Sequence, residues 1–536
     1  MGIKRYTADK DNTIANAFDA LLNTRATGSN MGGSDIIEVF SIYGQRMLSA
    51  STTGIASTQE LSRGLIQFPV TSITTDRSSG QLPASGSVSF YLRMFNAKHG
   101  NTTPREATYV VVPVSVPWQE GLGLDMDSYK DLSKNYFGSN WIQRSASTDW
   151  TTIGGDYLNQ HAKTKTLSKG TEDLEVDITD IVEKWIHGAS GGGYENYGLG
   201  VHLTSSQEAY FSSSTGNNID QCIHNPSGSK RSYYTKKFFS RTTEFFLKKP
   251  VIEARWDSAI KDDRGKAFYS SSLLTSNDNL NTLYLYNYVN GQLKNIPNTN
   301  TLFVRLYSGS ATEPTGSAFN LVTSTTYVNS HSPAVVTGGL VSTGIYSASF
   351  AMTAAATPVT TVYDVWHLND AAGGKIGTQV RTGSFSPTVY SISSAATESS
   401  YVFNISNLRS SYLQNENARF KVFSRLKNWN PTIYTSANAD PQNYIIEDIY
   451  YRLIKVIDGE EVISYGTGSA TSPQASGAPD SFTRLSYDSD GSYFDLDMSL
   501  LEPGYMYRIE LLYYNSNSYV KAANTFKFRV EEDLSG

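Results

Sequence analysis

One cysteine, Cys222, in 536 residues excludes an intrachain disulfide framework, so stability has to come from packed cores and from assembly. A lone cysteine of this kind reads as a small buried apolar side chain. No apolar run reaches the length of about 18 residues that a membrane-crossing helix needs, so no membrane insertion is expected. Charged residues are scarce at 18%, and neither sign prevails: 44 Lys and Arg against 50 Asp and Glu leave a formal charge of −6. A nucleic-acid backbone calls for a basic face, and this balance gives no reason to expect that partner. The opening residues, Met1-Gly2-Ile3-Lys4-Arg5-Tyr6, run into polar sequence without a signal-peptide apolar core, which points to synthesis in a cytoplasm.

What is abundant points to strands. The chain has 42 Gly and 35 Tyr beside much Ser and Thr, a mixture that suits short strands joined by turns. Long surface helices would bring more Glu, Lys and Ala. The length exceeds one ordinary core and suggests about three or four domains.

Alternation then places the units. Residues 1–50 read as an arm or small cap with a short helix, capped by Asn12 or Thr13 and carrying Ile14, Phe18, Leu21 and Leu22 on one face, followed by a strand from Ile36 to Tyr43. So short a region holds no core of its own; it packs on the next domain or reaches a neighbouring subunit. Residues 51–257 are nearly all strands. Val88, Phe90, Leu92 and Met94 share one face, and Leu174, Val176 and Ile178 repeat the pattern, as do Leu199, Val201 and Leu203. One helix interrupts them, with Ile178, Ile181, Val182, Trp185 and Ile186 at helical spacing and Gly188 as its stop. Residues 258–390 carry strands through Leu302, Val304 and Leu306 and through Tyr346, Ala348, Phe350 and Met352, the density of an immunoglobulin-like sandwich. Residues 391–536 form a further unit of that kind. The expected fold class is all-β: a jelly-roll-like sandwich followed by two immunoglobulin- or fibronectin-like β-sandwiches.

Two resemblances sharpen this plan. The stretches Leu65–Val70, Val114–Gly121, Trp150–Asp156, Val176–Trp185, Asn196–Val201, Phe239–Arg241 and Pro250–Trp256 resemble, in order, the DNRLRE family of jelly-roll-like modules found in bacterial surface proteins and some phage structural proteins. The segment Leu501-Glu502-Pro503-Gly504-Tyr505-Met506-Tyr507 resembles the tyrosine corner of fibronectin type III domains, which implies that the Tyr507 hydroxyl ties back to the preceding backbone. Together they imply a non-enzymatic structural protein of a tailed-bacteriophage virion, cyanophages included (tail, neck or collar, or capsid decoration), with other virion proteins as partners and a symmetric homo-oligomer as its state. The alternative is a carbohydrate-binding adhesin that recognises a host surface glycan.

No catalytic constellation is legible. The seven histidines make no His-x-x-x-His pair, and there is no phosphate loop or Gly-x-Ser-x-Gly elbow, so no enzyme is expected. Two acidic groups could hold calcium: Asp257, Asp262 and Asp263 at a domain junction, and Asp488 and Asp490 with Asp495 and Asp497 nearby. The plainer reading of the same groups is a solvated charged turn, and no other cofactor is expected. The insert from Asp125 to Trp150 gathers Tyr129, Tyr136, Trp141 and Trp150. These rings serve either as core or subunit contact, or as a flat platform for a sugar. Trp118, Trp185 and Trp256 read as structural plugs, as Tyr507 does.

Overall fold

Apolar residues at every second position bury one side of a strand, and the computed structural model lays such strands sheet on sheet. It describes residues 2–18, 21–46, 57–98, 106–124, 137–212, 219–309, 318–322, 335–353, 358–368, 378–390, 400–429, 443–467, 481–515 and 518–532. Contacts divide the chain into two units, Gly2–Trp256 and Asp257–Gly536.

In the first unit a four-stranded antiparallel sheet runs in the order Ile3–Thr7, Val251–Arg255, Ser89–Met94 and Leu174–Asp177. A larger sheet runs Tyr233–Phe239, Ile36–Tyr43, Gln59–Gln67, Leu199–Leu203, Ala107–Pro113 and Lys163–Leu167, with Lys10–Ala15 also paired to Gln59–Gln67. Val88, Phe90, Leu92 and Met94 from one sheet meet Tyr109, Val111, Leu199 and Val201 from the other in a single core. Two short helices close it: α1 (Val70–Ser78) supplies Ile73, and α2 (Thr179–His187) supplies Ile181, Val182 and Trp185. Arg77 joins them by donating to both oxygens of Glu183, at 2.7 and 2.6 Å. Trp256 packs against the same core, and its backbone N–H donates to the Gly2 carbonyl.

The opening residues correct the expected arm. Three of the strands above, Ile3–Thr7, Lys10–Ala15 and Ile36–Tyr43, come from residues 1–50 and belong to the two sheets. The helix expected around Ile14 and Phe18 is a strand, because residues 11–18 are buried on every side and leave no wet face. Their polar side chains are answered from far along the chain: Asn12 Nδ2 donates to the Ser139 carbonyl and Asn16 Nδ2 to the Gln221 carbonyl. Leu21, assigned to the apolar stripe, is 77% exposed, and Leu22 has a φ of +56° that no helix continues.

The strand Gln59–Gln67 is buried on both faces. Ile66 faces the main core, whereas Leu61 and Leu65 face a second one built with Ile14, Trp118, Trp141 and Trp150. The aromatic insert therefore supplies a smaller hydrophobic layer over the outside of the larger sheet. Each such indole takes about 150–250 Å² out of water, worth about 4–6 kcal/mol by area.

The second unit holds two sandwiches. In the first, strands follow the path Asn281–Tyr286, Ile345–Met352, Val336–Ser342, Thr301–Tyr307, Val362–His367 and Gln379–Phe385, around a core of Leu302, Val304, Leu306, Tyr346, Phe350 and Trp366. The last sandwich has one sheet ordered Tyr401–Ile405, Asn417–Leu426, Gly491–Asp497, Ser486–Asp488. The other is ordered Ser411–Leu413, Ser518–Glu531, Met506–Asn515, Ile449–Lys455, Glu461–Ile463. In chain order this is the A-B-E-D and G-F-C arrangement of an immunoglobulin domain. The Tyr507 hydroxyl donates to the Glu502 carbonyl at 2.9 Å, the bond that a tyrosine corner makes.

Candidate binding site

A cleft of about 520 Å³ opens on the outer side of the larger sheet of the first unit. Strand Gln59–Gln67 contributes Arg63 to its floor and strand Leu199–Leu203 contributes His202, while Glu208 comes from the turn that follows. Ser115, Thr152, Asp156, Tyr157, Asn159 and Asn225 line its walls. Gly200 is required beneath it, because a Cβ there would stand 2.2 Å from the Tyr157 ring.

The floor is a fixed ion pair. Arg63 donates from Nε and Nη2 to the two Glu208 oxygens, at 3.0 and 2.9 Å, and from Nη1 to the Gly154 carbonyl. Its guanidinium lies 5.6 Å from the Trp141 ring and 5.8 Å from the Tyr157 ring. Both charged side chains are over nine-tenths buried, and a pair so placed holds only because its hydrogen bonds are satisfied. His202 Nδ1 lies 2.7 Å from the Leu203 carbonyl, which can only accept, so Nδ1 carries the proton and Nε2 keeps its lone pair. Burial, with Arg63 adding to it, draws the imidazole down to about 4. Burial also pushes the Tyr157 phenol up to about 12. The cleft thus presents a neutral histidine, a protonated phenol, a compensated ion pair and the Asp156 side chain, which accepts the Thr151 and Thr152 backbone N–H groups. Proton transfer needs a group poised near the working pH, and neither His202 nor Tyr157 is. The arrangement suits a ligand rich in hydrogen-bonding groups.

The residues singled out by sequence lie elsewhere. Trp141 and Trp150 are 0% and 5% exposed, and their indole nitrogens donate to the Gln221 and Asn140 carbonyls. A ring that stacks on a sugar needs an open face, so these two correct the platform reading and are core. Tyr129 and Tyr136 lie outside the described residues. Trp118 is buried beside them, with its nitrogen donating to the Tyr197 carbonyl, and Trp185 is buried in the main core.

The aspartates have protein partners. Asp257 pairs with Arg484, Asp262 caps the Arg264 backbone N–H, and Asp263 accepts from the Thr282 N–H and the Tyr487 hydroxyl. Asp488 accepts from the Asp490 N–H within a hairpin turn, Asp490 faces Lys421, and Asp495 is paired with Arg419. Among the described residues no three His, Cys, Asp or Glu side chains converge as metal ligands, so the calcium cages that the sequence allowed are ion pairs and turn caps.

Arg63, His202, Glu208 and Tyr157 carried no signal in the sequence as a group. Their segments are brought together by the pairing of Leu199–Leu203 with Gln59–Gln67 and by the bridge of Tyr157 to Val114. The one hint was a pair of charged residues, Glu60 and Arg63, in a strand whose remaining residues are uncharged.

No protein-family model matches the chain, and no curated protein matches it. Among solved structures, the N-terminal Ig1-2 module of the Drosophila receptor protein tyrosine phosphatase DLAR is similar over 48% of this chain and 91% of its own, at 10% identity and a TM-score of 0.13. The FN1-FN3 domains of chicken CNTN1 are similar over 55% and 80%, at 12% identity and a TM-score of 0.14. Scores so low carry no argument. The all-β sandwich fold rests on the strand order and cores described above.

Proposed function

We propose that this chain is a non-enzymatic structural protein of a bacteriophage virion, acting in the tail, the neck or the decoration of the capsid. The observation that carries this reading is the use made of buried charge. Glu253 is held by Arg5, Arg93 and Arg255, Arg63 holds Glu208, Arg264 holds Asp364, and Glu510 is held by Arg452, Arg508 and Lys521. These pairs tie strand to strand and segment to segment. The resemblance to DNRLRE modules supplies the setting, and repeated copies in a symmetric particle would make modest contacts strong. Because Ile3–Thr7, Lys10–Ala15 and Ile36–Tyr43 are sheet strands, docking belongs to a sandwich face and not to a detachable arm. The test is localisation of the chain by electron microscopy in purified particles. Stoichiometric, symmetric density is the expected result, and particles complete without the chain would refute the reading.

The cleft favours a second reading, a host-envelope adhesin. Its aromatic wall, amide and hydroxyl rim and neutral histidine suit a sugar. Filling it with Asn159→Trp, at an exposed position, is expected to abolish saturable binding of a host-derived oligosaccharide in calorimetry while leaving the melting temperature within a few degrees. Undiminished binding would remove the cleft from the adhesin reading.

A further inference from the structure

A buried lysine with a side-chain amide carbonyl against its nitrogen and a carboxylate near enough to act on its charge is the set of groups that forms a side-chain amide bond. Lys236, in the strand Tyr233–Phe239, is 0% exposed. Its Nζ lies 2.5 Å from Asn96 Oδ1, 3.0 Å from the Gly170 carbonyl and 2.6 Å from the Glu172 carbonyl. The Phe238 ring lies 5.1 Å from Nζ and packs edge-on against Tyr109. Asn96 follows the strand Ser89–Met94 and bridges to Phe238, so its position opposite the lysine strand is fixed by backbone pairing. Its backbone N–H donates to Asp173 Oδ1 at 2.7 Å. Asn96 Nδ2 has no hydrogen-bond partner among the described residues, and the residue is partly exposed, so a departing nitrogen has a way out.

We propose that Lys236 and Asn96 join in an intramolecular isopeptide bond, with Asp173 relaying the proton. The Lys236 ammonium gives one proton to the Asp173 carboxylate, and the neutral amine attacks Cγ of Asn96. The second amine proton passes to Nδ2, the Cγ–Nδ2 bond breaks, and ammonia leaves, taking the proton from Asp173 to become ammonium. One amide replaces another, and no oxidant or reductant is needed. Burial draws the Lys236 ammonium down to about 8, with Asp173 and Glu172 acting in the opposite sense, so part of it is the neutral nucleophile near neutral pH. Proximity supplies the rest, since the sheet pairing holds nucleophile and carbonyl in contact.

The bond would join the larger sheet, through Tyr233–Phe239, to the segment that leaves the smaller sheet after Ser89–Met94, closing 140 residues of chain. It would add a covalent tie where the two segments are otherwise held by packing and a few backbone hydrogen bonds, whatever assembly the chain serves.

The experiment is an intact-mass measurement on the purified full chain, followed by protease digestion and fragment sequencing. The expected mass is lighter than the sequence mass by one ammonia, with a branched peptide linking Asn96 to Lys236. Lys236→Arg is expected at the full sequence mass, and Asp173→Asn is expected to lose ammonia at least tenfold more slowly in a time course after refolding. A wild-type chain at full mass, with the two residues in separate peptides, overturns the proposal. So does ammonia loss with Asn96 cyclised to a succinimide and no branched peptide. Undiminished bond formation in Asp173→Asn overturns the relay. The wild-type measurement depends on no variant's folding.

Discussion

Replacing Glu253 with Gln is expected to lower the stability of the Gly2–Trp256 unit by about 3–5 kcal/mol, the cost of breaking a buried ion pair from one side. For a domain of this size that corresponds to a fall of roughly 6–20 °C in the melting transition. The carboxylate is 2% exposed and accepts from Arg5 Nε at 2.7 Å, Arg93 Nη1 at 3.1 Å and Arg255 Nε at 2.7 Å. Against burial, which favours the neutral acid, Arg93, Arg5 and Arg255 hold the Glu253 carboxyl well below the usual carboxylate range. An amide fills the same space and keeps one acceptor, but it supplies no negative charge. Glu175, which is 38% exposed, is then the carboxylate left facing Arg93 and Arg255. The comparison is Asp495→Asn, which breaks a pair with Arg419 whose side chains are 41% and 49% exposed. That change should stay within about 1 kcal/mol. Scanning calorimetry of both variants decides the matter. Equal, small losses would mean that the three guanidiniums are solvated and that the cluster is no tie at all.

Both the fold and its errors were legible for physical reasons. Strands with one wet face announce themselves, and Val88 to Met94 and Leu302 to Leu306 occupy the cores that their alternation required. Tyr507 could be read because a corner is local, a hydroxyl reaching five residues back. Ile14 and Phe18 misled because a segment buried on all sides has no alternation to read. What settles its conformation is pairing with Gln59–Gln67 and hydrogen bonds to Ser139 and Gln221. The tryptophans of the insert misled for the opposite reason. Aromatic rings amid Gly, Ser and Asn look like a surface, yet Gly154 is there so that Trp141 can lie on it, a Cβ at that position standing 2.8 Å from the ring. The cleft and the Lys236–Asn96–Asp173 group were out of reach altogether. Each is assembled from residues far apart in the chain, and single residues of those types are common.

Two buried groups in the first unit are expected to give its stability opposing pH dependences, visible only when one is removed. His202 drops from the ordinary 6.5 to about 4 on folding, so between those values the unfolded chain binds a proton that the folded one refuses. Its contribution is present above pH 6.5 and is lost on acidification towards 4, by about 3 kcal/mol at 1.36 kcal/mol per unit. Asp11 behaves in the reverse sense. It is 0% exposed, accepts the Arg241 N–H on one oxygen, and has no partner for the other among the described residues. Burial raises it from 3.8 to about 7, helped by Glu120 and opposed by Arg241. The folded state therefore holds a proton that the unfolded chain releases, and its contribution is lost as pH rises from about 4 to 7, by about 4 kcal/mol. In the wild type the two slopes overlap between pH 4 and 6.5 and largely cancel. Asp11→Asn should expose the histidine alone, with stability falling towards acid. His202→Phe should expose the aspartate alone, with stability falling towards neutrality. Denaturant unfolding at half-unit pH intervals reads both slopes, and variants that each keep the wild-type profile would mean that neither group is buried in the ionisation state the cleft and the strand impose.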